Sequence, residues 1–284
     1  MSFINTLKNK YAVGTIIEKL MYLNIAVFLL TLLITVLQGL YKGEQNFLVE
    51  WFSLDNNLEA FLTKPWSIIS YGFLHADFIH LIFNMITLYF IGNLFIQYFT
   101  EKQALTFYIL GTLCGGFLYV ISQNYFPLFE GRNTTLVGAS AGISAIFIGI
   151  ATYMPHYQIK IRFIGFLKFW HLAAIWLAFD VVGLIGTNAG GSFSHLGGSL
   201  FGYLYVQQAS NKKTNISNIF SSFFKRKEKP LKTVHKSAKR KQNIVKNSSR
   251  NQEQIDVILD KISKSGYDTL NKEEKEFLFK QGKR

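Results

Sequence analysis

Gly138-Ala139-Ser140-Ala141-Gly142 opens the apolar segment Leu136–Met154, and His195-Leu196-Gly197-Gly198-Ser199-Leu200-Phe201-Gly202 lies in a second such segment, Ser192–Gln207. Both stretches have the composition of membrane-embedded helices. A polar side chain at membrane depth is costly and is therefore read as functional first. A serine and a histidine, each flanked by glycine in an apolar run, suggest a nucleophile and a base inside a helical membrane bundle. After Ser140, small residues recur every four positions at Ala141, Ala145 and Gly149. Gly198 and Gly202 repeat the spacing, and small stripes let two helices approach closely. Gly138, Gly142, Gly198 and Gly202 are therefore read as packing positions that bring Ser140 within reach of His195.

Four further apolar segments precede or separate these two, at Tyr22–Leu40, Ile79–Phe99, Ala104–Ile121 and Phe169–Ile185. Each is near the ~20 residues that a tilted or short span requires. The 284-residue chain is 49% hydrophobic, with 27 Phe and a mean hydropathy of +0.19, which is too apolar for an ordinary soluble domain. The expected fold class is an all-α polytopic membrane protein with six transmembrane helices. Its expected parts are a cytoplasmic N-terminus (1–20), a six-span membrane domain (21–208), a basic disordered linker (209–251) and a small cytoplasmic helical hairpin (252–284).

Charge sets the expected orientation. Residues 211–284 hold 20 Lys and Arg against 8 Asp and Glu, whereas residues 1–210 hold 10 against 9. With six spans both termini share a side. That side carries Lys8, Lys10, Lys19, Lys102, Lys160, Arg162, Lys168 and the basic tail. The other carries Lys42, Lys64 and Arg132 among Glu44, Glu50, Asp55, Glu59, Asp77 and Glu130. The positive-inside rule then places both termini in the cytoplasm, and the tail against anionic lipid. Nucleic acid is not expected as a partner, because the tail lacks interleaved aromatics for base stacking. The loop at 41–78, with Trp51, Phe52, Phe61, Pro65, Trp66 and Tyr71, reads as short interfacial helices. In the tail, Ile255, Val257, Ile258, Leu259 and Ile262 mark an amphipathic helix stopped near Gly266, and Asn271 with Glu274 marks a capping box for a second. Cys114 is the single cysteine, so an intramolecular disulfide and a Cys-based zinc site are excluded. No metal or cofactor is expected.

Ser140 stands at a helix start, where free N–H groups and the positive end of the dipole suit an oxyanion. His80 and Asn84, spaced i, i+4, share a helix face and are candidate oxyanion donors. Asp180, inside the fifth apolar segment, is read either as hydrogen-bonded structural glue or as a third catalytic member, with glue preferred because a buried carboxylate is costly. Gly138-x-Ser140-x-Gly142 also fits the nucleophile elbow of soluble α/β-hydrolases, and Ser140, Asp180, His195 follows that fold's order. The long apolar segments argue against a soluble sheet.

The Gly138-x-Ser140 motif, the His80-x-x-x-Asn84 pair and His195 with Gly198 and Gly202, in this order across six spans, resemble the rhomboid family of intramembrane serine proteases over about residues 20–207. The stretch Trp66 to Asn84, with Phe73-Leu74-His75, is similar to the family's passage into its second span. The resemblance implies an endopeptidase using a serine–histidine dyad: Ser140 as nucleophile, His195 as general base and then acid, and His80, Asn84 and the Ser140 N–H around the oxyanion. It implies transmembrane proteins as substrates and the lipid bilayer as solvent. The C-terminal segment with Ser263-Lys264-Ser265-Gly266-Tyr267 resembles an extension on rhomboids of Bacteroidetes-type bacteria, which implies a bacterial inner membrane. Two positions depart from the pattern. Trp66 is followed by Ser67 where many relatives have arginine, and Ser144 stands where many place an aromatic under the histidine. A catalytically inactive, rhomboid-like membrane chaperone is the alternative, and a transporter a more distant one.

Overall fold

A computed structural model describes residues 3–41, 46–161, 165–210 and 238–281. Lys42, Glu44 and Arg162 of the charge argument, and residues 211–237 of the linker expected at 209–251, lie outside the described residues. The chain divides into two compact units, the first carrying the elements up to Ser210 and the second those from Ala238.

The first unit is helical. Helix α1 spans Phe3–Val13, α2 Ile16–Leu40, α6 Phe78–Phe95, α7 Glu101–Tyr125, α8 Ser140–Tyr153, α9 Phe169–Gly183 and α10 Ala189–Ser210. Each of the six segments predicted to be apolar spans coincides with one of the last six helices. Among the described residues three helices, α2, α6 and α7, are long and apolar enough to cross a membrane, and α8 and α9 are shorter apolar helices. Short helices α3 (Phe47–Phe52), α4 (Leu58–Thr63) and α5 (Ser67–Ser70) fill the aromatic first loop. Four short strands had no counterpart in the sequence reading. Strands β1 (Leu54–Asp55) and β2 (Thr135–Leu136) pair antiparallel, and β3 (Gln158–Ile161) and β4 (Gly165–Lys168) form a hairpin before α9.

Helix starts follow their local chemistry. Thr15 with Glu18 and Thr100 with Gln103 make reciprocal capping boxes at α2 and α7. Asp77 accepts the His80 N–H at α6. Helix α8 differs: Ala139 precedes it and no side chain caps it. Its interior is buried on every side from Ala141 to Ala151, as befits the central helix of a bundle.

Helices α7 and α10 flank α8 at backbone distance. A Cβ on Gly198 would collide with the Ala141 carbonyl oxygen, and one on Gly202 with that of Ala145. A Cβ on Gly197 would come within 2.7 Å of the Cys114 carbonyl oxygen, and one on Gly142 within 2.6 Å of that of Tyr108. The four-residue spacing of small residues is thus a contact between backbones. Gly198→Ala should therefore destabilise the bundle by about 1–3 kcal/mol, the usual cost of forcing a methyl group into filled space. Thermal unfolding in detergent reads this directly, and an unchanged midpoint would mean that α8 and α10 are not held at this distance.

The second unit holds α11 (Ala238–Ser265) and α12 (Lys272–Gln281). Gly266, at φ +82°, ends α11. Asn271 and Glu274 cap α12 reciprocally, and the Lys261 ammonium lies 2.9 Å from Glu274. Helix α11 starts at Ala238, inside the segment 209–251 expected to be a disordered linker. Ala238-Lys239-Arg240-Lys241-Gln242 is polar yet composed of strong helix formers, so a lack of apolar periodicity was a poor guide there.

Candidate active site

The loop before α8 is fixed from three sides. Leu54 pairs with Leu136 and Asp55 with Thr135. The Asn56 amide donates to the Arg132 carbonyl at 2.6 Å and accepts from the Thr134 N–H at 3.1 Å. The Gly138 N–H donates to the Tyr71 carbonyl at 3.0 Å. Gly138 has φ +135°, a conformation that L side chains rarely adopt. From this turn the chain enters α8 at Ser140, whose first-turn N–H groups have no side-chain cap.

His195 sits on the second turn of α10 and faces Ser140. Its Nε2 lies 2.7 Å from Ser140 Oγ. Its Nδ1 lies 2.7 Å from Asp180 Oδ1 on α9. The imidazole is about one-fifth exposed and the carboxylate is buried. A carboxylate at Nδ1 keeps the proton on that nitrogen, so Nε2 is free to accept the Ser140 hydroxyl proton. Asp180, for which the sequence leaves structural glue and a third catalytic member open, makes this contact from α9.

Trp176, one turn before Asp180 on the same face of α9, closes the far side. Its ring centroid lies 6.3 Å from that of His195, and its Nε1–H donates to Ser144 Oγ at 3.2 Å. The departure at Ser144 is thus matched by Trp176. Ser144 is small, and the aromatic support that it fails to supply comes from α9. Behind His195, Ser194 Oγ lies 3.1 Å from the Tyr71 hydroxyl, which donates to the Thr112 carbonyl at 2.7 Å. Burial pushes the Tyr71 phenol up, so it remains a neutral donor.

The other wall comes from α6. A Cβ on Gly138 would lie 2.9 Å from His80 Nε2, 2.8 Å from His80 Cε1 and 3.5 Å from Ser140 Oγ. The missing side chain of Gly138 therefore leaves a space shared by His80 and Ser140. His80 Nδ1 accepts from the Ala76 N–H at 3.4 Å, which leaves Nε2 as the protonated, donating nitrogen. His75 packs edge-on at 5.2 Å between ring centroids. Burial, with His80 adding to it, lowers the His75 pKa to about 4, so the ring next to His80 is neutral near pH 7. Asn84 is buried one turn after His80 on the same face, and its amide donates to the His80 carbonyl at 3.0 Å. The structure thus brings together Ser140, His195, His80 and Gly138, and packs Gly142, Gly198 and Gly202 behind them. From the sequence, Trp176 had no assigned place and the partner of Asp180 stayed open. Their i, i+4 spacing on one helix was the available signal.

A family model described as the rhomboid domain matches residues 62–211, just over half of the chain. The chain belongs to the rhomboid family. With its apolar helices, this marks a membrane protein. Residues 240–283 match a family of unknown function, DUF6576, which covers the α11–α12 hairpin. A zebrafish (Danio rerio) relative, presenilin-associated rhomboid-like protein A, mitochondrial, is 27% identical over 165 residues, covering 57% of this chain and 41% of the relative. The chain therefore spans less than half the length of that relative.

Proposed function

We propose that this rhomboid is an intramembrane serine endopeptidase that hydrolyses peptide bonds in or next to transmembrane segments of other membrane proteins. The observation that carries the reading is the 2.7 Å contact between Ser140 Oγ and His195 Nε2 at an uncapped helix start. Ser140 Oγ attacks the scissile carbonyl carbon while its proton passes to His195 Nε2. The oxyanion that forms is met by the Ser140 N–H, His80 Nε2–H and the Asn84 amide. The C–N bond then breaks, His195 gives its proton to the leaving amine, and Ser140 keeps the acyl group as an ester. Water attacks the ester with His195 again as base, releasing the acid and restoring the serine.

Six spans, cytoplasmic termini, a bacterial inner membrane and a tail held against anionic lipid complete the reading, on the support of loop charge and the apolar segments. The intact serine–histidine pair favours the protease over an inactive membrane chaperone. The test is cleavage of a model single-span substrate by the full chain in lipid vesicles. Ser140-dependent appearance of two fragments is expected. A chain that binds the substrate and leaves it whole would support the chaperone instead.

A further inference from the structure

We propose that Asp180 is a positioning residue of this site: its carboxylate holds His195 in the tautomer and orientation that accept the Ser140 proton, so that the reaction runs on Ser140, His195 and Asp180 together rather than on a serine–histidine dyad. The proposal rests on the protease reading above.

The geometry is that of a relay of hydrogen bonds from three helices. Ser140 on α8, His195 on α10 and Asp180 on α9 are joined by two contacts of 2.7 Å each. The two contacts use opposite nitrogens of one imidazole. Asp180 Oδ2 is buried and has no hydrogen-bond partner among the described residues, so the polar contact of this carboxylate is the one to His195. A carboxylate serving only to tie helices together would be expected to spend both oxygens on them, because a buried anion is costly when it is poorly partnered. Here the partner is the residue that must become a cation. As Ser140 attacks, the imidazole gains the serine proton at Nε2, keeps its own at Nδ1 and faces a fixed negative charge. Asp180 takes up no proton in the cycle. Trp176 limits tilting of the ring from the same helix, with its own N–H tied to Ser144.

The experiment compares Asp180→Asn and Asp180→Ala with the wild-type full chain in lipid vesicles. It measures kcat and KM on a single-span substrate, the rate of covalent inactivation by a fluorophosphonate, and thermal unfolding. An asparagine can present its NH2 to Nδ1 and so favour the tautomer with the proton on the wrong nitrogen. The expected result is a fall of about tenfold or more in kcat and in inactivation rate together, with KM changed by less than about threefold and a cooperative melt retained. A merely structural role would lower the melting point and leave the folded fraction fully reactive. Wild-type kcat in a folded Asp180→Asn or Asp180→Ala protein would overturn the proposal, and so would loss of the fold in both variants, which would assign Asp180 to structure. If Ser140→Ala cleaves as well as wild type, the protease reading fails first. If Ser140→Ala is inactive while Asp180→Asn is fully active, this proposal alone fails.

Discussion

Ser140→Ala and His195→Ala should each lower turnover of a transmembrane substrate by about 10⁴- to 10⁶-fold, and the double variant should be no worse than either alone. The two side chains perform one proton transfer. Without the serine there is no nucleophile to activate. Without the imidazole the hydroxyl proton has no acceptor within reach, since His195 Nε2 at 2.7 Å is the base that Ser140 Oγ meets. Neither change should unfold the protein. Ser140 and His195 are both partly exposed, and the contacts holding α8 against α10 are made by Ala141, Ala145, Gly198 and Gly202 behind them. Steady-state cleavage of a fluorogenic transmembrane substrate by matched, folded preparations measures the effect. Independent, multiplying losses would mean that the two residues do not act on the same step.

His80→Ala should lower kcat by about 10²- to 10³-fold with little change in KM, the usual cost of removing one donor aimed at developing charge. The ring is prepared for that role before any substrate arrives. Its Nδ1 is occupied by the Ala76 N–H, so the proton is on Nε2, and that nitrogen borders the space above Gly138 next to Ser140 Oγ. Its neighbour His75 is neutral near pH 7, so no cation beside it competes for the oxyanion. Asn84→Ala should cost less, because one hydrogen of that amide is already committed to the His80 carbonyl. If His80→Ala retains the wild-type kcat, the ring is a wall of the cavity and the oxyanion is held by α8 alone.

The bundle was legible because long apolar segments mark its helices, and the positions of α2 and α6 to α10 follow from that signal, with α2, α6 and α7 long and apolar enough to cross a membrane. Ser140 and His195 were legible for a related reason: each is a polar residue set among glycines where lipid-facing sequence offers no other use for it. Asp180 carried the same signal, but its partner was not legible. What decides its role is the rotation of α9 about its own axis, and Phe169–Gly183 is apolar on nearly every face, so no stripe reveals which side looks inward. Trp176, four residues earlier, is an aromatic among many and became informative only once Ser144 was seen to accept its N–H. The β3–β4 hairpin is four residues a side and too short to stand out from a loop. In the tail, capping chemistry at Asn271 and the stop at Gly266 were readable from local rules, whereas the polar start of α11 rests on helix propensity, a weaker signal than hydrophobic period.

A nucleophilic Ser140 activated by His195 should react with an electrophile that mimics the scissile carbonyl. Reaction of the purified full chain with a fluorophosphonate in lipid vesicles, followed by mass-spectrometric mapping of the adduct, tests it most directly. A single adduct on Ser140, absent from Ser140→Ala and suppressed in His195→Ala, is the expected result. An adduct that persists in Ser140→Ala, or maps to another residue, would contradict it.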